Sequence, residues 1–466
     1  MSTPQPDPAL AGGTAGPDAL RPLLAVVLDA LHDGAAERGG PLPAGGPEAV
    51  AARVREAAEP LLPELGTGAE EALRSLVHAL AQGAADPADP LCAAHLHTPP
   101  LALAVAADLA VSALNPSMDS WDQAPAASEL EAAVTRTLAA EIYPSGTDPD
   151  ALVTTGGTES NQLALLLARE RHGAVQVVCG AGTHHSVHRA AWLLGLPEPM
   201  TVPTPSGTLD PAALDDALTG LSGPLLVVAT AGTTDTGRID PLPEIAGLCE
   251  RHGAELHVDA AYGGPLLFSA DLRSLLNGLD RAHSVTVDLH KMGWQPVAAG
   301  LIAVPDRSRL APLGHTADYL NADDDTEAGL PDLLGRSLRT TRRPDILKIA
   351  VTLRALGRTG LGALVDRTCA AAHQFADLIE KTPGLELYER PTLSTVLFRP
   401  VAATDERTAR IRRTLLAEGR AVLGRARTKD RLWLKATLLN PHATPGDLAA
   451  LIQEVLTELV EGSTPR

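Results

Sequence analysis

The chain has 466 residues, 45% of them hydrophobic, and a formal net charge of −19. This length allows a large core with one or two smaller regions, and the negative charge argues against nucleic-acid or anionic-membrane partners. No apolar run is long enough to span a membrane, and the N-terminus lacks the basic and apolar regions of a signal peptide. Four widely spaced cysteines without a CxxC pair predict a reduced, cytoplasmic location, with neither disulfides nor a zinc site.

The N-terminal quarter of the chain carries helical periodicity but no strand pattern. Residues 1–20 are rich in Pro, Gly and Ala, which predicts disorder. Residues 21–85 predict short helices whose apolar faces indicate packing against another surface, such as another subunit. The Thr98–Pro100 turn then leads into an apolar helix and the polar segment 115–123. Residue types alone leave open whether that segment is a plain connecting loop.

Residues 126–305 alternate helices with uniformly apolar strands, which predicts an α/β domain with a mostly parallel central sheet covered on both faces. Residues 271–280 are predicted as one of its helices. Residues 306–345 are irregular and charged, as expected of a mobile active-site loop. Residues 346–466 predict a small α+β domain. In such sheets the chemistry gathers at the carboxyl ends of the strands, so polar residues there are the candidates for function.

Lys291 follows the apolar strand pattern that begins at Ser284. A lysine at the end of a buried strand must lose its water, which favours the neutral amine. A neutral amine can condense with an aldehyde, so Lys291 is a candidate to bind an aldehyde cofactor. The alternative is a lysine on the surface just past the strand.

Two further strand ends carry residues that suit the same kind of cofactor. At the first, Gly156 and Gly157 let backbone N–H groups approach an anion, Thr158 can donate a hydroxyl, and the helix that follows favours phosphate. At the second, Asp259 ends an apolar strand and therefore requires a partner. A pyridinium N–H is such a partner, and the pairing keeps the ring electron-withdrawing. The alternative is an aspartate that caps a turn.

Histidines follow another strand and also adjoin the lysine. His184 can stack on a flat ring, and His290 can reach a phosphate. The spacing of His184 and His188 would also suit a metal pair on a helix, but no Cys or Glu ligand accompanies them. A phosphate-binding turn, a stacking histidine, an aspartate and a lysine, each at a strand end, together predict pyridoxal phosphate as the cofactor.

These motifs resemble those of the group II pyridoxal-phosphate-dependent decarboxylases of fold type I, and in particular the bacterial branch that acts on L-2,4-diaminobutyrate and lysine. The resemblance covers roughly residues 90–445. It is carried by the segments Asn115–Gln123, Thr155–Asn161, Gly232–Gly237, His257–Gly264, Val287–Lys291, Ala317–Asn321, Ser337–Arg343 and Thr437–Pro441.

The resemblance implies a role for each candidate residue. Lys291 is expected to bind the cofactor covalently, Asp259 to pair with its pyridine nitrogen, and His184 to stack on its ring; these three are the expected catalytic residues. The other expected cofactor contacts are Gly156, Gly157, Thr158, Thr234, Ala261, Asp288 and His290. The expected substrate contacts are His97, Thr98, Asp119, Trp121, Tyr319, Leu333 and Arg342.

The resemblance also implies a homodimer with shared active sites, in which residues 115–123 come from the neighbouring subunit. A carboxylate at Asp119 would then suit a substrate with a distal ammonium. Arg342 matches the position expected to grip the substrate carboxylate in relatives that act on glutamate. The expected reaction is decarboxylation of a basic or diamino acid, of the 2,4-diaminobutyrate, lysine or ornithine type.

Some positions depart from the family pattern. Leu333 stands where aromatic amino-acid decarboxylases carry a loop tyrosine, which leaves the donor of the proton to Cα open among Lys291, His184 and Tyr319. Leu289 and Gly293–Trp294 differ from the usual residues and are expected to line the pocket, as is His97, which stands in place of an Asn. The exact substrate therefore stays open.

Several other activities stay open beside this one. They are decarboxylation coupled to oxidative deamination, an aminotransferase or aldol-type lyase of the same fold, and a decarboxylase of acidic or aromatic amino acids. A catalytically silent interaction protein is expected to have lost Lys291 or Asp259, and both are present.

Overall fold

A computed structural model of the chain describes residues 9–461. Its first helices are α1 (Gly16–Arg38), α2 (Gly46–Ala58) and α3 (Ala69–Gly83), and α1 packs against α3. Helices are therefore present over residues 21–85 as predicted, but α1, with 23 residues, is not short, because Pro22 does not break it. Helix α1 begins inside the range predicted to be disordered, because Pro17 at the first turn suits a helix start. Residues 1–8, where most of that prediction falls, lie outside the described residues.

The next elements lead into the large domain. They are strand β1 (Cys92–Ala93), helix α4 (Ala102–Leu114) and helix α5 (Pro125–Ile142). The polar segment 115–123 lies between α4 and α5 and contains a single 3₁₀ turn, Trp121–Gln123. Among the described residues, no helix is both long and apolar enough to cross a membrane.

A sheet of seven strands forms the centre of the large domain. The strands are β2 (Asp150–Thr154), β3 (Gln176–Gly180), β4 (Met200–Val202), β5 (Leu225–Thr230), β6 (Glu255–Asp259), β7 (Ser284–Asp288) and β8 (Gly300–Val304). Their order is β2-β8-β7-β6-β5-β3-β4, and only β8 runs antiparallel to its neighbours. The predicted α/β fold with a mostly parallel sheet is confirmed.

Four helices connect these strands: α6 (Gly157–His172), α7 (Ser186–Leu193), α8 (Pro211–Thr219) and α9 (Leu242–His252). The α-helix predicted over residues 271–280 is wrong. Two short 3₁₀ helices, Arg273–Leu276 and Leu279–Arg281, stand there instead. Gly278 between them has φ 89°, a left-handed conformation that interrupts a helix.

Residues 306–345 are mostly irregular, as predicted. They contain only the short helix α10 (Asp323–Glu327) and two 3₁₀ helices, Arg307–Leu313 and Leu334–Arg336. Arg336 ties this segment to the large domain, because its Nη1 donates to Asp150 Oδ2 over 2.6 Å.

The small domain packs helices on a second sheet. Its elements are α11 (Ile346–Lys381), β9 (Leu385–Leu387), β10 (Thr395–Pro400), α12 (Asp405–Ala417), β11 (Val422–Thr428), β12 (Arg431–Thr437) and α13 (Pro445–Glu461). The strand order is β1-β11-β12-β10-β9, so β1 of the N-terminal segment completes this sheet. Strands β9 and β11 were not predicted, because charged residues interrupt their apolar residues and neither strand contains an apolar run.

Helix α11, at whose start the sequence predicts the domain boundary, contributes residues to the cores of both domains. The first half of α11 packs into the core of the large domain through Ile346, Ile349 and Leu364. The second half packs into the core of the small domain through Phe375 and Ile379.

Several polar residues end their strands at the same edge of the large sheet. Strand pairing places Thr230 beside Asp259, and both Thr154 and Asp288 beside Gly300. Because the carboxyl ends of parallel strands meet at one edge, this is where a site is expected.

Candidate active site at the carboxyl ends of the sheet

A cavity of about 410 Å³ opens at this edge of the large sheet. Every residue predicted to contact the cofactor lines it, and so do five residues to which no role was assigned. The full lining is Leu96, Thr155, Gly156, Gly157, Thr158, His184, Thr230, Gly232, Thr234, Asp259, Ala261, Tyr262, Asp288, His290 and Lys291.

Lys291 lies in the turn after β7 with its side chain largely covered. Its Nζ is 3.0 Å from Asp288 Oδ2, and the Asp288 side chain is almost fully buried. The other carboxylate oxygen, Asp288 Oδ1, has no hydrogen-bond partner among the described residues. The amine is therefore held at the cavity wall by a short ion pair, beside an oxygen that can still accept a hydrogen bond.

Asp259 ends β6 and is buried, with 6% of its surface exposed. Its Oδ2 accepts from Asn161 Nδ2 over 2.8 Å, and its Oδ1 accepts from the Ala261 backbone N–H over 3.1 Å. Hydrogen bonds donated to a carboxylate stabilise its ionised form. The cavity thus has a fixed negative charge at one end.

His184 lies just before α7, and its ring is held from behind. Its Nδ1 is 2.8 Å from Ser186 Oγ and accepts from the Ser186 backbone N–H over 3.3 Å. Burial lowers the pKa of His184, and the nearby charge of Asp259 opposes this only in part. A neutral imidazole therefore lines the cavity near neutral pH.

The turn before α6 forms a cup that suits an anion. A Cβ built at Gly157 would lie 3.1 Å from Ala261 Cβ, and one built at Gly156 would lie 2.9 Å from His290 Cε1. A side chain at either position would therefore crowd these neighbours. The first N–H groups of α6 have no partner within the helix and can bind an anion there.

His290 adds a further donor to the cup. Its Nδ1 accepts from the Ala299 backbone N–H over 3.3 Å, so the neutral ring carries its proton on Nε2. Burial lowers the pKa of His290. Its Nε2, which lies 3.6 Å from Asp288 Oδ2, can therefore donate toward a phosphate.

These features fit pyridoxal phosphate. The cup at one end suits the phosphate, the carboxylate of Asp259 suits the ring nitrogen, and Lys291 lies within the same cavity. Two buried oxygens of the lining, Thr230 Oγ1 and Asp288 Oδ1, have no hydrogen-bond partner among the described residues. Buried polar atoms of this kind are rare without a ligand or water.

The sequence did not assign roles to Asn161, Ser186, Thr230 or Leu96. Asn161 lies one turn after Gly157 on α6, and that spacing could have placed it behind the cup. Leu96 has φ 56°, an unusual conformation for a residue with a side chain. Strain of this kind clusters at functional sites.

Two predicted substrate contacts, His97 and Thr98, follow Leu96, which lines the cavity. Thr98 is buried, and its Oγ1 has no partner among the described residues. His97 is exposed, although partial burial of its ring lowers its pKa. Neither residue lines the cavity itself.

The other predicted substrate contacts lie outside this cavity. Tyr319 is 82% exposed, whereas Leu333 is buried, and both lie in the segment 306–345. Asp119 and Trp121 lie in the polar segment between α4 and α5, away from the lining of their own protomer. The prediction that they reach the site of a neighbouring subunit stays a prediction.

Arg342 is paired with a buried carboxylate in this structure, whereas the resemblance implied that it contacts the substrate. Its Nη1 and Nη2 donate to the two carboxylate oxygens of Glu131 over 2.6 and 2.7 Å. Only 1% of the Arg342 side chain and 3% of the Glu131 side chain are exposed. The guanidinium is thus already neutralised by a buried partner.

Leu289 and Trp294 do not line the pocket either, contrary to the prediction. Both belong to the core of the large domain. Trp294 is fully buried, and its Nε1 donates to the Leu439 backbone oxygen over 2.8 Å. This indole therefore fastens the turn after β7 to the small domain.

Known proteins resemble this chain along most of its length. The family model described as the pyridoxal-dependent decarboxylase conserved domain matches residues 55–401. An L-2,4-diaminobutyrate decarboxylase of Rhizobium meliloti (strain 1021) is 43% identical over 82% of this chain and 81% of its own length. A protein of the same name from Acinetobacter baumannii is 32% identical over 84% of each chain.

A solved structure is similar throughout. It is the crystal structure of the glutamate decarboxylase domain of diaminobutyrate-pyruvate transaminase and L-2,4-diaminobutyrate decarboxylase from Vibrio parahaemolyticus. The two chains have a TM-score of 0.85 and are 32% identical, and the match covers 97% of this chain and 98% of that chain.

The Arg342–Glu131 pair yields a stability prediction. Arg342→Met leaves the Glu131 charge buried without a partner, so we expect the free energy of unfolding to fall by about 3–5 kcal/mol. Replacing both residues by apolar ones, Glu131→Leu with Arg342→Met, is expected to recover most of the loss. Urea unfolding followed by circular dichroism measures both.

Arg343→Met is the matched control, because Arg343 is the next residue and its ion pair with Asp108 is largely exposed. We expect this control to change the free energy of unfolding by less than about 1 kcal/mol. Unchanged stability in Arg342→Met, together with a raised KM, would instead assign Arg342 to the substrate.

Proposed function

The chain belongs to the pyridoxal-dependent decarboxylase family, and from this premise we propose that it converts L-2,4-diaminobutyrate to 1,3-diaminopropane and carbon dioxide. The enzyme is a pyridoxal-phosphate-dependent amino-acid decarboxylase. The observation that most supports the diamino acid is the 43% identity, over four-fifths of both chains, to a protein that bears that activity as its name.

The lining residues support a division of labour in the cavity. Pyridoxal phosphate, when bound, supplies an electron-withdrawing ring that accepts the electron pair left by the departing carboxylate. Asp259 holds a proton on the ring nitrogen, because two hydrogen bonds keep its own charge in place. Gly156, Gly157 and His290 bind the phosphate at the other end.

The remaining contacts position the ring and move protons. His184 and Ala261 both line the cavity and would contact the two faces of the ring. Thr158 and Thr234 offer polar atoms at the margins of the cavity. Lys291 would bind the cofactor covalently, and its amine, which lies 3.0 Å from Asp288 Oδ2, is a candidate to carry a proton to Cα.

Asp119 provides the recognition of the distal ammonium. It is 8% exposed, and its oxygens accept only from neutral groups, Ser117 Oγ over 2.9 Å and Gln123 Nε2 over 2.7 Å. No cation pairs with it among the described residues. A buried carboxylate without a positive partner is costly, and a substrate ammonium would supply that partner.

A homodimer with shared sites would bring Asp119 to the cavity of the neighbouring subunit. The N-terminal helices and their connections expose large apolar side chains that a monomer would leave in water. These side chains are Leu28, Leu31, Val54, Leu61, Leu62, Leu65, Leu76, Leu80, Val105, Leu109 and Leu114. A second copy of the chain is the partner that covers them.

An acidic amino acid is a poorer candidate for the substrate. Arg342, which matches the position expected to grip the substrate carboxylate in relatives that act on glutamate, is buried against Glu131. The cytoplasmic location, which was inferred from the cysteine pattern, stays a prediction. The four cysteines are all free and buried.

The substrate is tested by incubating the purified enzyme and pyridoxal phosphate with L-2,4-diaminobutyrate, lysine, ornithine, glutamate and an aromatic amino acid. Mass spectrometry identifies the products. We expect 1,3-diaminopropane, with kcat/KM at least about tenfold above that for the other acids, because a pocket that pairs a charge rejects substrates that misplace it.

Lys291→Ala is the control, and it should lose both the product and the visible absorption of the lysine-bound cofactor. A keto acid as the main product would indicate transamination, and an aldehyde would indicate oxidative decarboxylation. Either result would contradict the proposed reaction.

The role of Asp119 is tested with Asp119→Asn. Loss of a charged hydrogen bond is worth about 1.5–3 kcal/mol, so KM for L-2,4-diaminobutyrate should rise by about ten- to a hundredfold. Asp122→Asn, which changes an exposed carboxylate three residues further on, is the matched control and should leave KM unchanged. Equal effects of the two variants would remove Asp119 from substrate recognition.

The shared site is tested by mixing two impaired proteins. Lys291→Ala and Asp119→Asn protomers are unfolded together and refolded, and activity is measured at low substrate concentration. In a dimer with shared sites, one site of each mixed dimer combines the intact Lys291 with the intact Asp119, so activity should exceed that of either parent. A mixture no more active than its parents would contradict the shared site.

A further inference from the structure

Asn161 lies at the centre of a hydrogen-bond network behind the cavity wall. Its side chain is fully buried, and its amide makes four hydrogen bonds. The amide nitrogen Nδ2 donates to Asp259 Oδ2 over 2.8 Å and to Ser186 Oγ over 2.9 Å. The amide oxygen Oδ1 accepts from His257 Nε2 over 2.9 Å and from Thr286 Oγ1 over 3.1 Å.

The charge of Asp259 determines which way this amide points. An ionised carboxylate can only accept hydrogen bonds, so the nitrogen of Asn161 must face it. The oxygen of Asn161 then faces His257, which must present a proton on Nε2. His257 Nδ1 is left to accept from the Ser284 hydroxyl, 2.8 Å away. Burial lowers the pKa of His257 to about 4, which agrees with a neutral ring.

The same assignment of hydrogen-bond donors and acceptors extends to His184. Ser186 Oγ accepts from Asn161, so its single hydroxyl hydrogen is available to His184 Nδ1 at 2.8 Å. The Ser186 backbone N–H also points at that nitrogen over 3.3 Å. Two donors aimed at Nδ1 leave no place for a proton there. A neutral His184 must therefore carry its proton on Nε2.

The charged groups around His184 agree with a neutral ring. Asp259 and Asp288 favour the protonated form, whereas Lys291 and the neighbouring His185 oppose it, and burial has the largest effect. The ring centroids of His184 and His185 are 4.2 Å apart. Protonating both rings would therefore place two positive charges close together, which is costly.

We propose that Asn161 is a positioning residue, which transmits the negative charge of Asp259 through Ser186 and fixes His184 as the neutral tautomer with its proton on Nε2. His184 then offers the cavity a hydrogen-bond donor whose proton cannot shift to the other nitrogen. The inference depends on the proposed function only for the roles of Asp259 and His184. The network itself lies among the residues of the chain and involves no substrate.

The tautomer is measured directly by long-range proton–nitrogen NMR on the holoenzyme labelled with ¹⁵N-histidine. The His184 signals are assigned by their loss in His184→Gln. In the native protein we expect the Nε2–H pattern. Ser186→Ala removes the hydroxyl donor and leaves only the longer backbone N–H, so the His184 Nδ1 signal should shift and a minor Nδ1–H population should appear. Asn161→Asp removes both amide donors, so the His184 and His257 signals should both change.

Ser160→Ala is the matched control on the same helix. Its buried hydroxyl contacts Thr154 Oγ1 and the Leu301 backbone oxygen, and it touches no member of the network. We expect this variant to leave both histidine patterns as they are in the native protein. A general disturbance of α6 would instead change them.

Measurements of cofactor binding distinguish the hydrogen bond from Asn161 to Asp259 from the hydrogen bond from Asn161 to Ser186. Asn161→Asp weakens the support of Asp259, and since a tenfold change corresponds to about 1.4 kcal/mol, we expect the Kd for pyridoxal phosphate to rise by about tenfold. Ser186→Ala leaves the bond between Asn161 and Asp259, so the Kd should stay within about twofold of native.

An Nδ1–H pattern for His184 in the native protein would overturn the proposal, and so would an unchanged His184 pattern in Ser186→Ala. The Ser186→Ala result decides the matter alone if Asn161→Asp does not fold. Failure of the substrate assay with the expected NMR patterns would contradict the proposed substrate and leave the role of Asn161 intact. Success of the substrate assay without the expected NMR patterns would contradict the role of Asn161 and leave the proposed substrate intact.

Discussion

A buried negative charge at the end of β6 is the constraint on which the site depends. Asp259 can stay ionised there only if donors surround it, and Asn161 and the Ala261 backbone provide them. Those donors must in turn be oriented, which orders the protons on His257 and Ser186. A single carboxylate thereby sets the hydrogen-bonding direction of several groups that have no contact with the cavity.

The small domain holds the loops that carry this arrangement. Tyr262, three residues after Asp259, lies 2.8 Å from Ser394 Oγ through its hydroxyl. Trp294, three residues after Lys291, donates to the backbone of Leu439. Because each loop follows a strand that ends at the cavity, contact between the domains keeps the lysine and the aspartate at a fixed separation.

The grouping of the candidate cofactor contacts around one cavity could be predicted from the sequence because each stands at a strand end within a local pattern, as Gly156 and Lys291 do. The pairing of Arg342 could not, because its partner Glu131 lies 211 positions away and no local pattern connects them. Trp294 was misplaced for the same reason, since its acceptor belongs to the other domain. The place of Asp119 depends on a second chain, which neither a pattern nor a single protomer provides.

Asp259→Asn tests directly whether Asp259 acts through its negative charge or only through the shape of its side chain. The variant keeps the shape of the side chain, and Lys291 should still bind the cofactor, so the visible absorption should persist. The rate of decarboxylation should fall by about a hundredfold or more, as when a preorganised electrostatic contact is removed. A rate within about threefold of native, with the cofactor bound, would contradict the account.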